Sequence, residues 1–131
     1  MAEQRARPLS PHLGIWRWGP GMAASIFHRV SGSGLTVVGL AVLTWWLLAL
    51  AKGAEAYADF AAIAQTWVGV VVLIGLTWAF FQHLFSGIRH LIMDTGHNFE
   101  LGPNKTSAVF TFVASVVVTA AIWFYLLGGV K

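Results

Sequence analysis

The stretch Phe81-Gln82-His83-Leu84-Phe85-Ser86-Gly87-Ile88-Arg89-His90-Leu91-Ile92-Met93-Asp94 decides how this chain is read. It closes an apolar run that opens near Phe60 and holds no charged side chain before Arg89. One imidazole, His83, sits inside that run. On a helix, residues 83, 87, 90 and 94 share a face, because steps of four, three and four track the 3.6-residue turn. The face reads His, Gly, His, Asp: ligand-type side chains with a small residue where something bulky can lie flat.

Outward from this stretch, composition fixes the solvent. The 131 residues are 57% hydrophobic and 10% charged, where an ordinary globular chain is about 25% charged. Residues 30–51, 60–88 and 106–130 are three apolar segments, each long enough to cross a hydrocarbon core of about 30 Å. The prediction is an all-α integral membrane bundle of three transmembrane helices in one domain. A polar lead-in covers 1–21, and the helices run over about 22–51, 66–94 and 106–129. Such a bundle has little interior, so it is expected to bury surface against other subunits.

The absence of cysteine excludes disulfides, iron–sulfur ligation by this chain and thiol catalysis. The net charge of +3 is small, and its basic residues gather near predicted cytoplasmic ends. Topology explains them better than nucleic acid does. The first 20 residues hold Glu3, Pro8, Pro11 and Pro20 and no apolar core, so they read as neither a secretory signal nor a transit peptide. A bacterial inner membrane is the simpler expectation, ahead of a mitochondrial one.

Arg5, Arg7, Arg17 and Arg29 precede the long apolar part of the first helix, against Lys52 after it. The positive-inside rule then places the N-terminus in the cytoplasm and the C-terminal Gly128-Gly129-Val130-Lys131 on the other side. Trp16 and Trp18 suit the headgroup layer. Gly19-Pro20-Gly21 is expected to break any helix and turn the chain into the bilayer. Ser31, Gly32, Ser33, Gly34 and Gly39 are the small residues that mark close helix contact in a membrane. Residues 52–65, with Lys52, Glu55 and Asp59, read as a polar link. Gly96 is the expected stop of the second helix, which puts Asp94 in a last turn where the macrodipole disfavours a carboxylate. Thr106 or Ser107 is expected to cap the third helix. That helix has no ionisable group except the Tyr125 phenol, and it reads as a packing element that faces lipid.

Three constellations carry candidate chemistry. His83 lies inside the hydrocarbon, where ionisable residues are costly and mark functional sites. It reads as an axial ligand to haem iron, as a proton relay, or as an imidazole hydrogen-bonded to a neighbouring helix. Ser25 and Arg29 stand at i and i+4 beside His28. A hydroxyl and a fixed cation there can hold a quinone carbonyl and stabilise the charge that one-electron reduction puts on it. Arg29 or His28 can instead bind haem propionates. The bland alternative is a topogenic arginine beside a helix-start serine. His90 and Asp94 read as a hydrogen-bonded pair, a proton path, or an ordinary polar helix end. Arg89 alone reads as a topology signal, and His12 and His97 as interfacial or loop histidines.

Two of these stretches resemble a known family. Ser25-Ile26-Phe27-His28-Arg29-Val30-Ser31-Gly32 resembles the S-I-x-H-R-x-S-G motif of the cytochrome b556 membrane anchors of succinate dehydrogenase, complex II. His83-x-x-x-Gly87-x-Arg89-His90-x-x-x-Asp94 resembles their H-x-x-x-G-x-R-H-x-x-x-D motif. Arg7-Pro8-Leu9-Ser10-Pro11-His12-Leu13 is similar to the start of alphaproteobacterial and mitochondrial members. The resemblance covers the whole chain. It implies that His83 is the axial ligand of haem b, with the other ligand from a second membrane anchor subunit. It implies quinone-pocket positions at Ser25 and Arg29, and positions near the propionates at His28 and Arg29. It leaves the roles of His90 and Asp94 less defined. It also implies a flavoprotein subunit and an iron–sulfur subunit as partners, ubiquinone as substrate, and no activity from this chain alone. Two other classes stay open: a structural anchor without haem, and a subunit of an unrelated transporter. The second expects polar residues at mid-membrane on several helices, which the third helix does not offer.

Overall fold

The computed structural model describes residues 17–128. The readings placed on Arg5, Arg7, His12, Trp16 and residues 129–131 lie outside the described residues. The rest is helical: α1 (Pro20–Gly34), a π-helical turn (Leu35–Gly39), α2 (Leu40–Lys52), α3 (Ala54–Ala64), α4 (Trp67–Asp94) and α5 (Leu101–Gly128). α1, the π turn and α2 form one continuous span of 33 residues, and α4 and α5 are spans of 28 each. At 1.5 Å per residue, even the shorter spans reach about 42 Å, so all three are long and apolar enough to cross a bilayer.

Gly19-Pro20-Gly21 starts the first helix rather than breaking it. Gly19 is the extended N-cap and Pro20 opens the first turn, where a missing N–H costs nothing and the fixed φ already suits a helix. The π turn is flanked by Ser31 and contains Thr36, two hydroxyls that bond back into their own helix. Ser31 Oγ donates to His28 O at 3.1 Å and Thr36 Oγ1 to Gly32 O at 2.9 Å. Such back-bonds loosen the regular ladder.

Two expectations need correction. The polar link at 52–65 is mostly the helix α3. Gly53, at φ +106°, ends α2, and the alanine-rich segment behind it is a strong helix former despite Lys52, Glu55 and Asp59. α3 folds back through Phe60, whose ring meets Trp45 edge-on at 4.8 Å. The third span begins at Leu101, not at Thr106 or Ser107. Pro103 sits in its first turn, where proline is tolerated, and Asn104 N–H already bonds Glu100 O at 2.9 Å. Thr106 and Ser107 lie within the helix and bond back to Gly102 O and Asn104 O. Gly96, at φ +88°, follows α4 as expected.

α4 packs against both α1 and α5, and α1 also packs on α5. The buried side chains are small or polar. Ala24, Ala49 and Ala108 are the buried apolar ones, beside Ser31, Gln82, Ser86, Arg89, Thr111, Ser115 and Thr119. Large apolar residues such as Val37, Leu47, Val71, Phe110 and Phe124 point outward. This is the arrangement lipid favours, because hydrocarbon gives a leucine no reason to hide and small interface residues let backbones approach.

Candidate functional site

The α1–α4 crossing is built from two histidines and two glycines that exchange partners. The His83 ring from α4 lies on Gly32 of α1, where an added Cβ would come within 2.8 Å of His83 Cε1. The His28 ring from α1 lies over Gly87 of α4, where a Cβ would stand 3.6 Å from His28 Cε1. The two imidazoles stack face to face, 4.0 Å between centroids and 8° from parallel. His90 approaches from the next turn, 5.1 Å from His28 and tilted by 56°.

Hydrogen bonding fixes the tautomer of His83. Its Nδ1 is 3.1 Å from His28 O. A backbone carbonyl can only accept, so Nδ1 carries the proton and donates. Ser31 Oγ lies 3.4 Å from the same nitrogen and 3.1 Å from the same carbonyl. No described residue bonds Nε2. A neutral imidazole held through Nδ1–H with the Nε2 lone pair unused is the form a metal-ligating histidine takes. His83 therefore fits the axial nitrogen of a haem. His28 adds a second polar atom in need of a partner, since its buried Nδ1 makes no hydrogen bond within the described residues.

His83, His28 and Arg29 line one open groove of about 500 Å³ with Gly32, Ser33, Thr36 and Val37. Arg29 is exposed along it, and no described acid pairs with the guanidinium. Ser25, one turn before Arg29 on α1 and half-buried, is not among the lining residues. The structure thus brings together His83, His28 and Arg29, with His90 beside His28. It does not join His90 to Asp94, which is exposed and makes no hydrogen bond or ion pair with a described residue. Apolar grooves of about 300 and 370 Å³ lie at the other end around Val42, Trp45, Phe60 and Leu73.

Sequence reasoning missed three contributors. Ser31 was read as a small residue and a motif position with no role, yet it is buried beside the His83 ring. Arg89, read as a topology signal, is 5% exposed, and its Nε donates to Ser107 Oγ at 3.1 Å. Gln82 is wholly buried and accepts from Ser115 Oγ at 2.9 Å. The spacing of Gln82, Ser86 and Arg89, a polar stripe on the buried side of α4, was the available signal.

These features define a multi-pass helical membrane protein with a histidine-lined groove near one end. Sequence comparison gives the family. Residues 3–122 match the succinate dehydrogenase/fumarate reductase transmembrane subunit family, and the chain belongs to it. The succinate dehydrogenase cytochrome b556 subunit of Paracoccus denitrificans is 37% identical over 112 residues, covering 86% of this chain and 85% of that one. That of Rickettsia felis is 33% identical over 117 residues, 89% of this chain and 90% of its own. The mitochondrial cytochrome b560 subunit of the pig is 29% identical over 120 residues, 88% of this chain and 69% of its own.

Proposed function

We propose that this chain is the haem b- and quinone-binding anchor of a succinate:ubiquinone oxidoreductase in a bacterial inner membrane, its N-terminus in the cytoplasm. The observation that carries the reading is His83, an imidazole tied down at Nδ1 and unused at Nε2, on an open groove beside a cation. Haem b, when bound, supplies a one-electron carrier inside the membrane. His83 offers Nε2 to it. His28 and Arg29, the latter through its guanidinium, would hold the propionates. Arg29 with Ser25 also orients a ubiquinone carbonyl and stabilises the negative charge that develops there on reduction. His90, next to His28, and Asp94, at the helix end, line a path for the protons that quinone reduction consumes.

His28 lies flat on His83, face to face at 4.0 Å, so the two rings cannot bracket one iron, and a second ligand would come from a second membrane anchor subunit. Electrons arrive from an iron–sulfur subunit, which a flavoprotein subunit supplies by oxidising succinate. The test is the absorption spectrum of the assembled membrane complex. His83→Ala is expected to abolish or displace the b-type bands. An unchanged spectrum removes His83 as ligand. A wild-type complex that reduces quinone but has no Soret band removes the haem role and leaves anchoring and quinone binding.

A further inference from the structure

Ser31 and the carbonyl of His28 form a small hydrogen-bonded frame behind His83. Three atoms meet there. His83 Nδ1 lies 3.1 Å from His28 O, Ser31 Oγ lies 3.1 Å from that same oxygen, and Ser31 Oγ lies 3.4 Å from Nδ1. Since Nδ1–H and the serine O–H are both donors, the carbonyl accepts from both, and the serine oxygen can take only a weak share of the Nδ1 proton. Ser31 is 4% exposed, so its hydroxyl has no water to turn to. Gly32, the next residue, sets the distance, because any Cβ there would press on the His83 ring.

We infer that Ser31 is a positioning residue that tunes the donor strength of His83. The inference rests on the reading of His83 as a haem ligand. A metal-binding imidazole becomes a stronger donor when its other N–H is held by a strong acceptor. Here the acceptor is shared, for the serine hydroxyl draws on the same oxygen. Ser31 therefore moderates the bond from Nδ1–H and keeps His83 from becoming too electron-rich, while its own oxygen limits the tilt of the ring. Removing the hydroxyl leaves the carbonyl to the imidazole alone. The donor strengthens, the oxidised iron is favoured, and the haem midpoint potential falls.

The experiment uses the whole assembled complex in membranes and compares Ser31→Ala, Ser31→Thr and Ser86→Ala. Ser86 is a buried serine of the same helix crossing, and its Oγ lies 3.5 Å from Ala24 O and makes no hydrogen bond to His83. Potentiometric titration of the haem is the main readout, with the low-spin electron paramagnetic resonance g-values as the second. The expected result is a lower potential and displaced g-values in Ser31→Ala, with Ser31→Thr and Ser86→Ala at wild-type values. Loss of haem in Ser31→Ala alone overturns the tuning role, since a stronger donor holds the iron at least as well. Wild-type potential and g-values in Ser31→Ala overturn it. Equal shifts, or equal haem loss, in Ser31→Ala and Ser86→Ala also overturn it, since they report a loosened helix contact. A spectrum that survives His83→Ala fails the ligand reading itself, which is a separate outcome.

Discussion

Arg29 projects from α1 into the His83 groove, exposed and without a described acid beside it. A guanidinium left unpaired next to two histidines is placed to meet an anion or a carbonyl that becomes one. Arg29→Leu keeps much of the apolar packing of the side chain but removes the charge. Loss of one charge-assisted hydrogen bond lowers the rate by about 10- to 100-fold. Ubiquinone reduction by the complex is expected to fall by that much, while succinate oxidation by an artificial dye stays near wild type. Equal loss of both activities would instead mean that the complex had failed to assemble. His83 and Arg29 were both legible in the sequence for one physical reason. Each is an ionisable group beside or within a charge-free run, and such groups stand out against lipid. Ser31 and Gly32 were legible as small residues and as the end of a motif but not in their role, because it comes from a partner 52 positions away from Ser31. Arg89 was read only in part, for the opposite reason. A basic residue near a helix end has a ready topological explanation, and only the fold shows the side chain turned inward onto Ser107.

The element that organises the bundle is α4. One side presents His83 and Gly87 to α1, and another presents Gln82, Ser86 and Arg89 to the interior. Gln82 links to α5 at two points, accepting from Ser115 Oγ at 2.9 Å and donating to Thr111 Oγ1 at 3.5 Å. Farther along, Trp123 Nε1 donates to Thr77 Oγ1 at 3.2 Å. These bonds set the rotation of α4, and with it the direction in which the adjacent His83 faces. Thr111 and Ser115 also bond their own helix, to Ala108 O and Phe112 O, so removing Gln82 does not leave them unsatisfied. Gln82→Leu is therefore expected to cost only about 1 kcal/mol, within the range for interhelical bonds in membranes. The measurement is the thermal unfolding of the detergent-solubilised complex, followed at the haem bands. A complex as stable as wild type, or more so, would show that packing alone fixes α4. α5 was read as a bland lipid-facing helix because its hydroxyls at 111, 115 and 119 hide among valines and alanines. Their spacing of four puts all three on the buried face. α3 was missed because three charged residues outweighed six alanines in the reading, although alanine decides helix formation in so short a segment.

At the scale of the molecule, the three spans give the chain two unlike ends. The start of α1, the end of α4 and the start of α5 converge, for Gly21 lies against Asn104 and near Arg89. Arg17, Arg29, Arg89 and Lys105 belong to this end, while Lys52 is the one described lysine or arginine at the other. Acidic residues count little in setting orientation, so Glu55 and Asp59 beside Lys52 do not alter the asymmetry. The end that carries the histidine groove should then face the cytoplasm, where a succinate-oxidising partner would dock. The chain has no cysteine, so a single introduced thiol reports its side of the membrane without background. Glu55→Cys, on the exposed helix α3, is expected to react with a membrane-impermeant maleimide added to intact spheroplasts. Glu100→Cys, in the loop before α5, is expected to react only after the membrane is opened. The reverse pattern would put the groove on the outer face, away from a cytoplasmic iron–sulfur subunit, and the proposed electron path would have no entrance.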